Sequence, residues 1–276
     1  MLAPAAAALL LGILVGVPVG ALTRASQSGP SNGTHHSPGA IDARARTLYQ
    51  QALMATRSSP GFHYVAVSSA PSGTQTIVGD AGRADGRQVI TLDSAFGSEH
   101  FTLVLESGTV YFQGNSPALE DQLGVPLANL SSVQGRWVAV SGGDGPYTIL
   151  AAGITVSDQA QEIALVPTST LQIRAPGGVR ATRILGSASQ QQGALGGAAH
   201  LDVVAGSDLP ISEVSTITVG GVTLASTTTF SGWGRALHAA APASPTAWST
   251  LGASPPVGGY GGGDSGTPGP SSTPHL

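Results

Sequence analysis

The stretch Phe101-Thr102-Leu103-Val104-Leu105-Glu106-Ser107-Gly108-Thr109-Val110-Tyr111-Phe112-Gln113-Gly114 decides what kind of fold this chain adopts. Side chains on a strand alternate between its faces, so in Glu99 to Glu106 one face carries Phe101, Leu103 and Leu105 and the other Thr102, Val104 and Glu106. The first face is strongly apolar and the second is mixed. The link Glu106-Ser107-Gly108-Thr109 supplies a glycine where a hairpin needs positive φ, and Thr109 to Gly114 is the return strand.

Upstream of this hairpin the runs Phe62 to Ser69, Thr74 to Ala81 and Arg87 to Asp93 recur at roughly ten-residue intervals, which predicts an antiparallel sheet. Before them, Ile41, Ala45, Leu48, Ala52 and Ala55 make one apolar stripe, predicting a helix from Ile41 to Arg57 that Ser58-Ser59-Pro60-Gly61 stops. Downstream, Pro117 to Val133 is less regular, with a short helical turn over Ala118 to Leu123. Tyr147 to Leu165 reads as partly helical, strongest from Ser157, a candidate cap, with Asp158 at the favourable end. A second strand series follows: Thr170 to Ala175, Val179 to Ser187, Ala198 to Ala205, Ile211 to Val219, Val222 to Ser231 and Arg235 to Ala240. The order of helix, strands, helical insert and strands predicts an α+β fold with a curved antiparallel sheet.

The ends differ from this middle. Leu2 to Leu22 has no charged residue and is long enough to cross a membrane, so residues 1–25 read as a signal peptide or a membrane anchor. Either reading makes the chain extracytoplasmic, tethered to the cell membrane or secreted. Residues 26–40 read as a flexible linker, 41–242 as the folded domain, and 243–276 as a disordered Pro/Gly/Ser tail.

Composition narrows the function. The 276 residues hold no cysteine, which removes disulfides, thiolate metal sites and thiol nucleophiles, and a net charge of −4 gives no basic footprint for nucleic acid. Gly263-Asp264-Ser265-Gly266 is similar to a serine-protease nucleophile loop, and Gly261, Gly263 and Gly266 have a dinucleotide-loop spacing. Neither has the rigid scaffold its chemistry requires. His63, His100, His200 and His238 lie singly on different strands, without metal-ligand spacing, and His35-His36 sits in the linker. Asp202, Asp208 and Glu213, and the adjacent Glu120-Asp121, read as ordinary acids rather than a catalytic pair. The expectation is a protein with no catalytic residues, no metal and no cofactor.

The series of elements resembles the LppX/LprA/LprF/LprG family of actinobacterial envelope lipoproteins, whose fold is similar to the lipoprotein carriers LolA and LolB. The resemblance rests on the helix ending before Phe62 to Ser69, on Ser107-Gly108-Thr109-Val110-Tyr111, and on Gly135-Arg136-Trp137-Val138 before the helical insert. It rests also on Thr227-Thr228-Thr229-Phe230-Ser231-Gly232-Trp233-Gly234 followed by Ala241-Pro242. Members carry a lipidated cysteine, which this chain lacks. The resemblance implies a half-barrel sheet wrapped over helices, LolA-like, with an apolar cavity for the acyl chains of a lipid, glycolipid or acylated protein. Phe101, Leu103 and Leu105, with Ile90 and Leu92 of the neighbouring strand, are the candidate cavity residues. The alternative is an envelope structural or interaction domain of the same fold with a filled core and no ligand.

Overall fold

The computed structural model describes residues 43–188, 194–195, 197–219 and 221–254. The expected anchor and linker therefore lie outside the described residues, as do Ile41 and Asp42 at the head of the first predicted helix. Among the described residues no helix is long and apolar enough to cross a membrane.

Helix α1, Ala43–Ser58, leads into β1 (Gly61–Ala70), β2 (Gly73–Gly82), β3 (Gly86–Ser94), β4 (Gly97–Glu106) and β5 (Thr109–Gly114). Each strand pairs antiparallel with the next. The deciding hairpin forms as its sequence predicts: Ser107 and Gly108 both have positive φ, and Glu106 pairs with Thr109. Helices α2 (Ser116–Leu123) and α3 (Leu127–Val133), strand β6 (Val138–Ser141), and helices α4 (Tyr147–Ala151) and α5 (Val156–Glu162) form the insert. The second series is β7 (Leu165–Arg174), β8 (Arg180–Ala188), β9 (Ala194–Leu195), β10 (Ala198–Val204), β11 (Pro210–Val219) and β12 (Val222–Ser231).

Strand β12 pairs with β11 on one side and with β1 on the other, which joins the two series into one curved sheet. The sheet does not close into a barrel. It runs from β13 (Thr246–Ala247), through β6 and β5, to β7 at the opposite edge, with β9 off the path on β11. The pairing is antiparallel throughout except between β13 and β6. Helix α1 packs on β7, β8 and α5, α2 packs on β4 and β5, and α5 reaches β2, so the helices lie against the sheet's inner face.

Four sequence expectations change. Arg235 to Ala240 is not a strand, because β12 already has a partner on each side. The segment is held by single contacts instead, Gly234 N–H donating to Gly61 O and Ala239 N–H to Asp85 Oδ2. The cap of α5 is Thr155, not Ser157: Thr155 Oγ1 accepts from Asp158 N–H, and Asp158 Oδ2 accepts from Thr155 N–H, a reciprocal capping box. Strand β7 begins at Leu165, five residues before the expected Thr170, and bulges at Pro167, which has no N–H for the ladder.

The fourth change concerns the boundary at Pro242. Residues 243–254 pack on the domain: Thr246 and Ala247 pair with Val138 and Ala139, and Trp248 and Leu251 are buried. Trp248 Nε1–H donates to Leu123 O, Asn129 Nδ2 donates to Leu251 O, and Ser254 N–H donates to Gly124 O. Two large apolar side chains in a Pro/Ser-rich stretch are enough to dock it. Residues 255–276, with the Gly263-Asp264-Ser265-Gly266 motif, lie outside the described residues.

Candidate functional site

Strand register places the inner-face side chains in rows that run across the sheet. One row is Phe101, Ile90, Ile77, Ala66, Thr228 and Glu213, each opposite the next on neighbouring strands. The next row, two residues along every strand, is Phe112, Leu103, Gln88, Gly79, Tyr64 and Phe230. On the other side lies a row of Leu92, Gln75, Ser68, Ser226 and Ser215. The Phe101 row is thus apolar over β4, β3, β2 and β1 and turns polar at Thr228 and Glu213, the second row is aromatic at both ends, and the third is small and hydroxylated over β1, β12 and β11.

Where these rows meet the insert there is a cavity of about 40 Å³. Ile77, Ile90, Phe101 and Leu103 line it from the sheet, and Ile149 and Leu150 from α4. Its polar wall is Gln75, Gln88, Tyr64, Gln159 and Glu162. The Gly153 carbonyl, in the loop between α4 and α5, accepts from Tyr64 Oη at 3.1 Å, Gln88 Nε2 at 2.8 Å and Gln159 Nε2 at 2.6 Å. Gln88 Nε2 also donates to Tyr64 Oη at 2.6 Å. Two sheet side chains therefore latch the insert down at one backbone oxygen. Tyr64 reaches it because its cross-strand neighbour is Gly79: a Cβ there would stand 2.3 Å from the Tyr64 ring. Burial drives the Tyr64 hydroxyl's pKa up, so it stays a donor.

Of the candidate cavity residues, Phe101, Leu103 and Ile90 line this space. Leu92 and Leu105 are buried in the same core but do not line it. Leu105 stands in the row beyond Leu103, opposite Gly86 and Val110, and Leu92 stands opposite Gln75. The polar wall was not anticipated. Its one sequence signal is the pair Gln75 and Gln88, amides at inward positions of otherwise apolar or small rows.

Glu213 ends the Phe101 row half-buried, and its carboxyl is pushed up to about 8, first by burial and then by the charge of Glu162. A backbone hydrogen bond from Ala164 opposes the shift. Close by, Tyr49 of α1 donates to Ile163 O at 2.7 Å and ties α1 to the end of α5. Asp202, Glu99 and Asp121 find other partners. Asp202 takes a bidentate pair from Arg183 at 2.7 and 2.9 Å. Glu99 accepts from Gln122 at 2.8 Å and lies beside Asp121, burial raising both carboxyls. Asp93, Ser98 and His100 come together on β3 and β4, but Asp93 accepts from Ser98 rather than from the histidine. That order does not activate a serine, which needs the carboxylate on the imidazole. Among the described residues no three His, Asp or Glu side chains converge to hold a metal. A second, more polar cleft of about 450 Å³ lies between α1 and β8 and β10, lined by Thr47, Leu48, Gln51, Thr182 and Val203 among others.

The class defined by this geometry is an open, curved antiparallel sheet with a helical layer over a largely apolar inner face. Among solved structures the chain is similar to LprF from Mycobacterium bovis at 15% identity, over 74% of this chain and 99% of that one, with a TM-score of 0.47. It is similar to the Mycobacterium tuberculosis lipoprotein LppX at 10% identity, over 72% and 100%, with a TM-score of 0.42. A hypothetical protein, CT021 of Chlamydia trachomatis, follows at 12% identity, over 72% and 97%, with a TM-score of 0.31. The first two bear names of the family that the order of sequence elements resembles. No family model and no curated protein matches the chain.

Proposed function

We propose that this chain is a noncatalytic, extracytoplasmic lipid carrier of the cell envelope, with the N-terminal segment serving as its tether or export signal. In this reading the acyl chain of a lipid, glycolipid or acylated protein lies between the inner face and the insert. Phe101, Leu103 and Ile90 form the wall, and Leu92 and Leu105 flank it.

The observation that carries the reading is how thin the layer over this aliphatic floor is. Helices α4 and α5 have five and seven residues. Helices this short are not stable alone, and they stay in place only through their contacts with the sheet. Opening them costs the buried contacts of Leu150, Ile154, Val156 and Ile163 and the latch at Gly153. Burying a 16-carbon chain at ~0.8 kcal/mol per methylene gains roughly 13 kcal/mol before ordering costs, the gain that is set against those lost contacts.

A second reading is favoured by the volume itself. About 40 Å³ admits water and no acyl chain, whereas sites that hold small organic ligands run to ~300–1,000 Å³. On that reading the domain is a filled structural or interaction module. Mass spectrometry of an organic extract of the protein, purified without detergent from envelope fractions, separates the two. The carrier reading expects a defined lipid near one per chain, absent from a mock preparation; no lipid above background favours the filled module.

A further inference from the structure

Gln75 is fully buried, and neither its Oε1 nor its Nε2 has a hydrogen-bond partner. It is the one side chain of the described residues left so, and it lines the cavity of about 40 Å³. Buried polar atoms are nearly always satisfied, and an exception marks a site that something else completes. An amide presents a donor and an acceptor side by side. It lines the cavity beside Ile77, Ile90 and Phe101, so a polar group attached to something apolar would complete it, as a single water would.

The charge around it selects among such groups. No Lys, Arg or His lines the cavity, while Glu162 does. Asp158, Glu162 and Asp80 all act on Tyr64 in the sense that opposes further negative charge. An ionised carboxylate is therefore disfavoured and a neutral group admitted. The row that holds Gln75 continues through Ser68 to Ser226, whose hydroxyls bond each other at 3.0 Å, and Ser226 is half-buried. Two strand spacings of ~4.8 Å put Ser226 on the order of 10 Å from Gln75.

We propose that Gln75 reads the head group of the bound lipid, pairing with a neutral ester or hydroxyl, and that Ser68 and Ser226 carry the rest of that head group along the row. This assignment rests on the carrier reading. It names a class of ligand, uncharged single-chain esters and alcohols such as monoacylglycerols, over free fatty-acid anions.

Equilibrium dialysis of the full chain against radiolabelled 1-monodecanoylglycerol, decanoate and decane at pH 8 tests it, with wild type beside Gln75→Leu. The expected result is that wild type prefers the monoglyceride to decanoate. Gln75→Leu should lose about tenfold in monoglyceride affinity, the worth of one hydrogen bond, and bind decane unchanged. Equal binding of all three probes by the two proteins overturns the assignment, leaving a trapped water as the amide's partner. A wild type that binds decane and monoglyceride alike also overturns it while the carrier reading survives; a wild type that binds none of the three ends both. Gln75→Leu replaces an unpaired amide with an apolar side chain of similar size, so its melting temperature should equal or exceed wild type. A marked fall would mean the amide is already satisfied within the fold, and would overturn the assignment too.

Discussion

Tyr64 and Gly79 act as one unit, because the phenol ring occupies the space a side chain on β2 would need. Gly79→Ala forces the ring off the strand and breaks its bond to the Gly153 carbonyl. Overpacking of this kind costs ~1–3 kcal/mol, which chemical denaturation at neutral pH measures; an unchanged midpoint would show that the ring has somewhere else to go. Glu213 gives a second prediction at this scale. Its carboxyl binds a proton more tightly folded than unfolded, its ordinary value being 4.5 and its folded value about 8. Between those limits the folded state holds the proton that the unfolded state has released, so this group's contribution is present in full below pH 4.5 and is lost as pH rises through 8. Glu213→Gln should flatten the fall in stability over that window and raise the melting temperature at pH 8. A pH profile identical to wild type would place the titration elsewhere.

The C-terminal segment shows at the element scale what a local pattern misses. Truncation after Pro242 removes Trp248 and Leu251 from the core, together with the β13–β6 pairing. The expected outcome is a loss of ~3–5 kcal/mol, the usual effect of deleting a buried tryptophan, read as a fall in melting temperature. No change would mean the segment does not dock in solution. Composition marks 243–276 as low in apolar residues except Trp248 and Leu251, and a docking strand of two residues has no period to detect. Strands β1 to β5 were legible because period-two burial and turn glycines agree over five successive runs. Arg235 to Ala240 misled for the converse reason: it has a strand's composition, and only the strand order shows that β12, the strand before it, is already paired on both sides. Alternation placed Phe101, Leu103 and Leu105 on one apolar face of β4, and of these Phe101 and Leu103 line the small cavity. Tyr64, Gly153 and Gln159 were not legible in the sequence, since the latch depends on where a loop falls across the sheet.

For the whole molecule the proposed function sets a closed insert against the apolar floor beneath it. One curved sheet supplies both, because the Phe101 row is apolar from β4 to β1 while Gln88 and Tyr64 of the next row hold the insert at Gly153. The outer face gives an internal control, since Val67, Val78 and Val89 are exposed there at about 40% and offer a flat apolar surface to any lipid that merely adheres. The most direct measurement is photolabelling with a decanoylglycerol that carries a diazirine in its acyl chain, followed by mass-spectrometric mapping of the adducts. The account predicts saturable labelling, competed by unlabelled monodecanoylglycerol, on inner-face and insert residues such as Ile77, Ile90, Phe101, Leu103 and Leu150. Labelling confined to Val67, Val78 and Val89, or labelling that never saturates, would contradict it.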